Sequence, residues 1–297
     1  MKETILDTVT IQNYRNRFQR VLHHIDAHLD DDLSVETLSG VAAFSRFHFH
    51  RQFSELLGIG VFPYIQGLRL KRASYRLAFR KEMSILEIAL SSRYEGPEAF
   101  SRAFKQRAGL TPSAFRKEPH WDALHDAHRS IVTARNSIMQ QTFAPIEIID
   151  VQETRIAILS HHGDPASIGK TIRRFIDWRK SAGLPPRLNA TYNIFHNDPQ
   201  EVAPEDFRLD LCVATDRNVA DAERGITAGV IPAGRCAVLR HTGSDDGLGP
   251  ALTHLYAHWL PKSGETPRDF PLYCQRIRFF PDLPEQEAVT DIFLPLA

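Results

Sequence analysis

Apolar residues recur every three or four positions over much of the first 118 residues, which is the spacing of amphipathic helices. The clearest case is the predicted helix 45–57, which ends at Gly58. Its apolar face consists of Phe49, Phe53, Leu56 and Leu57. The opposite face carries Phe47, His50 and Arg51, and we predict that it points outward.

A shorter helix precedes this one. Ser34 is placed to cap a helix over 35–42, and Ala43 and Phe44 form the turn between the two helices. The pattern therefore predicts a helix, a turn and a second helix, in which the second helix has one face for the core and one face for a partner.

The same pattern occurs a second time. Four residues recur 51 positions later, so that Phe49, Arg51, Phe53 and Gly58 match Phe100, Arg102, Phe104 and Gly109. The preceding short helices are 50 positions apart, with Val35, Leu38 and Phe44 matching Ile85, Ile88 and Tyr94. The second turn is therefore one residue longer. Pro97 suits the first position of the second outward-facing helix, whose free residues are Glu98, Ser101, Arg102 and Lys105.

A further helix, Pro63 to Arg80, is predicted between the two motifs, with basic residues such as Lys71 around its apolar stripe. A helix of this length spans about 27 Å. Two outward-facing helices held at roughly that separation could enter successive major grooves, which lie about 34 Å apart along B-DNA. The spacing predicts a single chain with two DNA-reading helices.

Two segments, SRFHFHRQFSELLGIGVFPYIQGLRLKRA and AFSRAFKQRAGLTPSAFRK, resemble the tandem helix-turn-helix domain of AraC-type transcription regulators over about residues 20–118. The resemblance implies double-stranded promoter DNA as a partner, with RNA polymerase as a further candidate. The residues that match the family's base-contacting positions are Phe47, His50, Arg51, Glu98, Ser101 and Arg102. Arg46, Lys71, Pro97 and Lys105 complete the predicted DNA-binding set. The chain departs from the family at the second turn, where Arg93 replaces the usual glycine, and the first turn carries Ala43.

Charge supports this prediction once the chain is divided. The whole chain has 36 basic and 36 acidic residues, but 44–117 has 14 basic and 5 acidic residues, a net charge of +9. The stretch 121–297 has 18 basic and 23 acidic residues, a net charge of −5. The positive charge is concentrated where the two motifs lie, as expected for a nucleic-acid-binding domain.

The second half of the chain is also duplicated. Residues recur at a distance of 80 or 81, among them Arg155 with Arg235, His161 with His241, Tyr192 with Tyr273, and Asp210 with Asp291. Each copy predicts a strand (155–161 or 235–241), a glycine loop, an amphipathic helix (167–181 or 247–260) and two further strands. The predicted fold is an α-helical N-terminal tandem helix-turn-helix domain followed by an α+β domain of two β-α-β-β units. Such units can pair their sheets and leave a cleft along a pseudo-twofold axis.

This half resembles the GyrI-like, or effector-binding, domain over about residues 145–297. The resemblance rests on IPAGRCAV at 231–238, HWLPKSG at 258–264, PLYCQ at 271–275 and the FLPL ending. It implies a small-molecule effector. In multidrug-sensing relatives an acidic residue in the pocket complements a lipophilic cation, and Cys274 occupies that position here. A thiol pairs poorly with a cation, so we expect a different ligand, of aromatic or lipophilic character.

Aromatic side chains are the candidates for the cleft wall, although such residues more often fill cores. The predicted ligand-binding residues are Trp178, Tyr192, Tyr256, Trp259, Tyr273 and Cys274, with Phe280 as a further aromatic. His161 and His241 end equivalent strands and either bind ligand or cap a loop. His254 and His258 are four apart on a helix but lack a third metal ligand.

The predicted domains are 1–118 for DNA binding, 119–144 as a partly helical linker, and 145–297 for effector binding. Three cysteines without CxxC spacing suggest neither disulfides nor a zinc site, and we expect no catalytic residue, metal or cofactor. No apolar run approaches a membrane span and no signal peptide is evident, so a cytoplasmic protein is expected. Two alternatives stay open for the second domain: a protein-interaction module, or a small-molecule hydrolase.

Overall fold

The computed structural model divides into two compact units, Met1–Thr142 and Phe143–Ala297. It describes residues 2–139, 143–199, 201–217, 219–279 and 282–297, with side chains from residue 13 onward apart from that of Ser137. In the part of the chain so described, no helix is long and apolar enough to cross a membrane.

The first unit is built from helices. They are α1 (Lys2–Ala27), α2 (Val35–Ala42), α3 (Arg46–Leu57), α4 (Val61–Phe79), α5 (Ile85–Ser91), α6 (Pro97–Ala108), α7 (Pro112–Lys117) and α8 (Asp122–Ile138). Hydroxyl side chains accept hydrogen bonds from the first turns of α2, α3, α5 and α7. The helices α2 and α3 form the first predicted motif and α5 and α6 the second, which confirms the tandem arrangement.

Two hydrophobic cores lie side by side in this unit, and α4 contributes to both. Its first half, with Val61, Tyr64 and Ile65, packs into a core shared with α1, α2 and α3. Its second half, with Ala73 and Leu77, packs into the core shared with α5, α6 and α7. The joining helix is therefore a common structural element of both motifs, as its position in the sequence predicted.

The segment 119–144, interpreted from its polar residues as a linker, is largely part of the first unit. Trp121, just before helix α8, and Leu124 of α8 are buried in the second core, whereas Ile131 and Ala134 of the same helix are buried in the first. The apolar residues of α8 are spaced so that one stripe faces both cores, and its polar residues cover the outer side. This corrects the linker prediction, because α8 is a second brace between the two motifs.

The second unit is α+β, as predicted. Its strands are β1 (Glu147–Val151), β2 (Thr154–His162), β3 (Thr191–Phe195), β4 (Arg208–Ala214), β5 (Ile226–Ile231), β6 (Gly234–Thr242), β7 (Tyr273–Arg278) and β8 (Val289–Pro295). They form one antiparallel sheet in the order β1-β6-β8-β7-β3-β4-β2-β5. The two copies meet in the middle of the sheet, where β3 pairs with β7.

Strands β1 and β5 were not predicted, and they exchange between the copies. Strand β1 precedes the first copy but pairs with β6 of the second, whereas β5 precedes the second copy and pairs with β2 of the first. Each repeat is therefore a ββαββ unit whose first strand is added to the other repeat. The exposed, irregular pattern of β1 explains why periodicity alone did not reveal it.

The helices of this unit cover one face of the sheet. Helix α9 (Ile168–Ala182) packs on the first copy, and the second copy is covered by α10 (Leu248–Thr253), a π-helical segment (His254–Trp259) and α11 (Leu260–Ser263). One continuous helix was predicted over 247–260. Pro261 accounts for the interruption, since its ring crowds the carbonyl one turn earlier and the wider π turn relieves the clash.

Candidate nucleic-acid interface and small-molecule site

Helix α3 is fixed in place by burial of its inner face. Phe49 and Phe53 are fully buried, and the hydroxyl of Ser45 accepts a hydrogen bond from the amide of His48 at 3.4 Å. Gly58 ends the helix in the left-handed conformation. The inward residues thus set the rotation of the helix, which determines which residues face solvent.

The predicted reading residues of α3 are on the solvent side. Arg46, Phe47, His50 and Arg51 are all exposed, and Phe47 exposes 76% of its surface. The guanidinium of Arg46 lies 5.1 Å from the centre of the Phe47 ring. The exposed Phe47 ring beside the Arg46 guanidinium is available for contact with bases.

Helix α6 is arranged in the same way. Phe100 and Phe104 are fully buried, whereas Glu98, Arg102 and Lys105 are exposed, and Pro97 and Ser101 are half-buried. Glu98 and Arg102 are four residues apart, yet no ion pair joins them in the described structure. The Arg102 guanidinium is therefore available to an external partner.

The basic residues of α4 have internal partners. Arg72 is buried and pairs with Asp30, and Arg69 donates to the carbonyl oxygens of Leu29 at 2.9 Å and Asp31 at 2.8 Å. Lys71, the predicted phosphate contact, is half-buried. Most of the positive charge of α4 thus holds the helices together, and the outward charge is concentrated on α3 and α6.

An open depression of about 410 Å³ lies between α1 and α3. It is lined by Tyr14, His48, Arg51, Gln52, Glu55 and Leu56. The side-chain oxygen of Gln52 is buried there without a hydrogen-bond partner among the residues described. Arg51 thus stands at the rim of a groove beside the outward face of α3, a feature that helical periodicity alone did not predict.

In the second unit, the two repeats meet at a pair of equivalent positions. Asn193 of β3 lies opposite Cys274 of β7, and both are buried. Burial raises the pKa of the Cys274 thiol to about 12, so the thiol is neutral near pH 7. The position that carries a carboxylate in the resembled multidrug sensors is therefore uncharged here.

A polar network beside this pair was not predicted. The Nε of Arg276 donates to the side-chain oxygen of Asn193 at 2.9 Å, and its Nη1 contacts Asp245 and Thr290. Arg276 lies two residues after Cys274 in β7 and so faces the same side of the sheet, but no sequence signal pointed to its partners. The centre of the helix-covered face is thus polar and carries a guanidinium.

The predicted ligand-binding residues lie on both faces of the sheet. Trp178 and Cys274 are buried in the helix-covered cores, and Trp259 packs half-buried against the core that holds Cys274. Tyr192 and Tyr273 belong to the core on the opposite face, where their ring centres are 6.2 Å apart. Tyr256 is 43% exposed. Phe280 lies outside the described residues.

The candidate histidines serve the fold. The ring of His161 is buried and contacts the hydroxyl of Thr171 at 2.8 Å and the carbonyl oxygen of Asp164 at 3.2 Å. His241 contacts the carbonyl oxygen of Ser244 at 2.8 Å. These contacts favour the loop-capping role. Within the described ranges, no cluster of three or more metal-binding side chains exists.

A second cluster surrounds Asp210, whose carboxylate is buried. It accepts hydrogen bonds from the hydroxyl of Ser160 at 2.6 Å, the ring of His196 at 2.7 Å and the guanidinium of Arg208 at 3.2 Å. Burial acts to raise its pKa, but these partners hold it below the usual value. The repeat partner Asp291 is paired with Arg240. The recurrence of the two aspartates in sequence was the signal of this shared structural role.

Matches to known protein families agree with the division of the chain into a helical N-terminal unit and an α+β C-terminal unit. A family model described as the GyrI-like small molecule binding domain matches residues 144–297, slightly more than half of the chain. The chain belongs to the GyrI-like family. A helix-turn-helix domain model matches residues 38–118, which agrees with the AraC-type motifs described above.

Two curated relatives each resemble part of this GyrI-like chain. The probable transcriptional regulator YgiV of Escherichia coli K12 is 34% identical over 153 residues, which cover 51% of this chain and 96% of YgiV. The uncharacterized HTH-type transcriptional regulator YbfP of Bacillus subtilis is 37% identical over 103 residues, which cover 35% of each chain. A solved EcmrR–DNA complex aligns with 85% of this chain and 84% of its own, with 16% identity and a TM-score of 0.45.

Proposed function

We propose that this protein is a sequence-specific DNA-binding transcription regulator whose GyrI-like domain senses a small molecule. The observation that carries the proposal is the pair of helices α3 and α6, which present Arg51 and Arg102 to solvent while their phenylalanines are buried. Neither arginine has an ionic partner within the described chain. Exposed guanidinium groups on a helix face can form bidentate hydrogen bonds with guanine in the major groove.

Each helix has a distinct contribution in this proposal. On α3, Arg51 and His50 contact base edges and Phe47 contacts an apolar base surface, with Arg46 beside it. On α6, Ser101 and Arg102 contact bases near Glu98 and Pro97, while Lys105 contacts the backbone. Lys71 of α4 contributes to phosphate binding. The two braces α4 and α8 hold both helices, so the spacing of the two contacts is constant.

The second domain is proposed to bind an aromatic or lipophilic effector that is not a bulky cation. Its support is the neutral Cys274 at the junction of the repeats, with the guanidinium of Arg276 nearby. Binding would alter the affinity for DNA or the contact with RNA polymerase. The raised pKa of Cys274 leaves no thiolate nucleophile near pH 7, which favours a binding role over a hydrolase.

Substitution of the exposed arginines tests the DNA-binding proposal. Duplexes are selected from a random pool by the wild-type chain, by Arg51→Ala and by Arg102→Ala. Each arginine variant is expected to lose preference at its own base pair, since a bidentate contact discriminates by about 1 to 3 kcal/mol. Lys71→Ala is the matched comparison, because loss of a phosphate contact weakens binding to all sequences alike. Unchanged selectivity in both arginine variants would remove them from base reading.

A further inference from the structure

The turn before α6 adopts a backbone conformation that its sequence does not favour. The non-glycine residues with positive φ in the described chain are Ala43, at 53°, and Arg93, at 63°. They occupy equivalent places in the two helix-turn-helix motifs. A side chain is disfavoured in this left-handed conformation, and glycine would adopt it more readily. Backbone preference therefore does not explain why an arginine occupies this position.

Arg93 lies near a second guanidinium, that of Arg69. Its side chain is exposed and no carboxylate pairs with it in the described structure. Its charged neighbour is Arg69, whose pKa is lowered by burial and further by the charges of Arg93 and Arg72. The nearby carboxylate of Asp30 is engaged by Arg72. The turn therefore carries an exposed guanidinium that forms no ion pair within the described chain.

The location of this cation is specific. Arg93 lies four residues before Pro97, the first residue of α6, and the neighbouring Tyr94 is anchored in the core of the second motif. The guanidinium of Arg69 donates hydrogen bonds to two carbonyl oxygens, which hold its positive charge in place near Arg93. Because this turn leads directly into α6, a polyanion bound along the first turn of α6 would also lie close to Arg93.

We infer that Arg93 binds a backbone phosphate of the same duplex that α6 reads, and so positions the second motif on the DNA. The inference rests on the proposed DNA-binding function and adds a residue to it. A guanidinium suits a phosphate because two N–H groups can donate to two oxygens. The first turn lacks such a contact, since Ala43 has no charge. The contact is independent of base sequence, which distinguishes Arg93 from Arg102.

Four variants of the full chain separate the effect of the Arg93 charge on DNA binding from the effect of backbone strain on stability. Arg93→Gly removes both, Arg93→Ala removes the charge and keeps the strain, and Arg93→Lys keeps the charge. Ala43→Gly relieves strain in the uncharged turn and is the matched control. Each is measured by thermal melting and by the salt dependence of binding to a duplex that the wild-type chain selects from a random pool.

Arg93→Gly is expected to melt higher and yet bind DNA with a weaker salt dependence, its log–log slope falling by about 0.9 for one lost phosphate contact. In Arg93→Ala the log–log slope should fall by the same amount, but the melting temperature should not rise. Arg93→Lys should keep the wild-type slope, and Ala43→Gly should melt higher with the slope unchanged. Base preference should be the same in all four.

An unchanged slope in Arg93→Gly and Arg93→Ala would overturn the inference. So would an equal loss of slope in Ala43→Gly, because turn geometry rather than charge would then explain it. Failure of the wild-type chain to select any duplex is a different result, which would reject the proposed DNA-binding function itself.

Discussion

The guanidinium of Arg135 pairs with the carboxylate of Asp26 inside the first unit, with one contact at 2.9 Å, and also donates to the phenol oxygen of Tyr64 at 3.2 Å. These residues belong to α8, α1 and α4 respectively. Burial alone would lower the pKa of Arg135, but Asp26 raises it above its usual range. The side chain of Arg135 thus links α8 to α1 by an ion pair and to the joining helix α4 by a hydrogen bond.

Removal of one partner from this pair should destabilise the first unit strongly. Arg135→Met removes the guanidinium that pairs with the mostly buried carboxylate of Asp26, and breaking such a buried pair typically costs about 3 to 5 kcal/mol. Urea unfolding of the full chain measures the change. Arg129→Met breaks the exposed pair with Asp126 on the same helix and should cost less than about 1 kcal/mol. Equal effects of the two variants would contradict a structural role for α8.

The contact between α4 and α8 can be tested at a glycine. A β-carbon added at Gly67 would lie 2.3 Å from Cδ1 of Ile131 and 3.0 Å from Nη2 of Arg107. Gly67→Ala should therefore lower the free energy of unfolding, because overpacking costs about 1 to 3 kcal/mol and exceeds the roughly 0.5 to 1 kcal/mol gained by replacing a glycine inside α4.

Gly40→Ala is the control for this substitution, because nothing lies within 4 Å of a β-carbon there. Gly40 is inside α2, where alanine is favoured over glycine by about 0.5 to 1 kcal/mol. The two glycine variants should thus change stability in opposite directions. A stabilised Gly67→Ala chain would mean that α8 does not pack closely on α4.

The helix-turn-helix motifs were predictable because residues close together in the sequence determine where each helix ends and which face it buries. The positions of Phe49 and Phe100 define the inner face of each helix, and Gly58 and Gly109 define the ends, so the outward residues follow from helical geometry. Strand β1 was not predictable in this way, because its partner β6 lies far away in sequence and most of its residues are exposed. The role of α8 was missed because polar residues conceal a narrow apolar stripe.

The small-molecule site was less predictable than the DNA interface. Sequence spacing could place Tyr192 and Tyr273 in equivalent strands, and strand alternation alone puts the adjacent residues Tyr273 and Cys274 on opposite faces of the sheet. Which of the two faces is covered by α9 with Trp178 depends on how that helix packs on the sheet, and local spacing does not determine this. The partners of Arg276 come from distant parts of the chain: Asn193 from the other repeat, Asp245 from the loop after β6, and Thr290 from β8.

The Asp210 cluster predicts a pH dependence of stability. Because the pKa of Asp210 is lower in the folded chain than in the unfolded chain, its contribution is present above the unfolded value, about 4, and is lost as pH falls through the folded value. Asp210→Asn should therefore reduce stability at pH 7 and weaken its decline on acidification. Urea unfolding at several pH values between 7 and 3 measures both effects.

Asp216→Asn provides the comparison, because Asp216 is exposed in a bend after β4. It should leave the pH profile close to that of the wild-type chain. A wild-type profile in Asp210→Asn would show that the Ser160 and His196 contacts do not stabilise the folded state.

Cys274 offers a test of ligand charge. Cys274→Glu would place a carboxylate at the buried junction of the repeats, and an unpaired buried charge is unfavourable. We expect this variant to melt lower than the wild-type chain and to be stabilised by tetraphenylphosphonium, a lipophilic cation. Cys274→Gln, which is similar in size and uncharged, should not respond. Stabilisation of the wild-type chain by the cation would contradict the proposed effector class.

One chain is proposed to carry two DNA-reading helices at a constant separation. The decisive experiment is selection of duplexes from a random pool by the wild-type chain. We expect an enriched site with two short elements whose centres lie about one helical turn, or 10 base pairs, apart. Enrichment of no sequence, or of two elements at variable spacing, would contradict it.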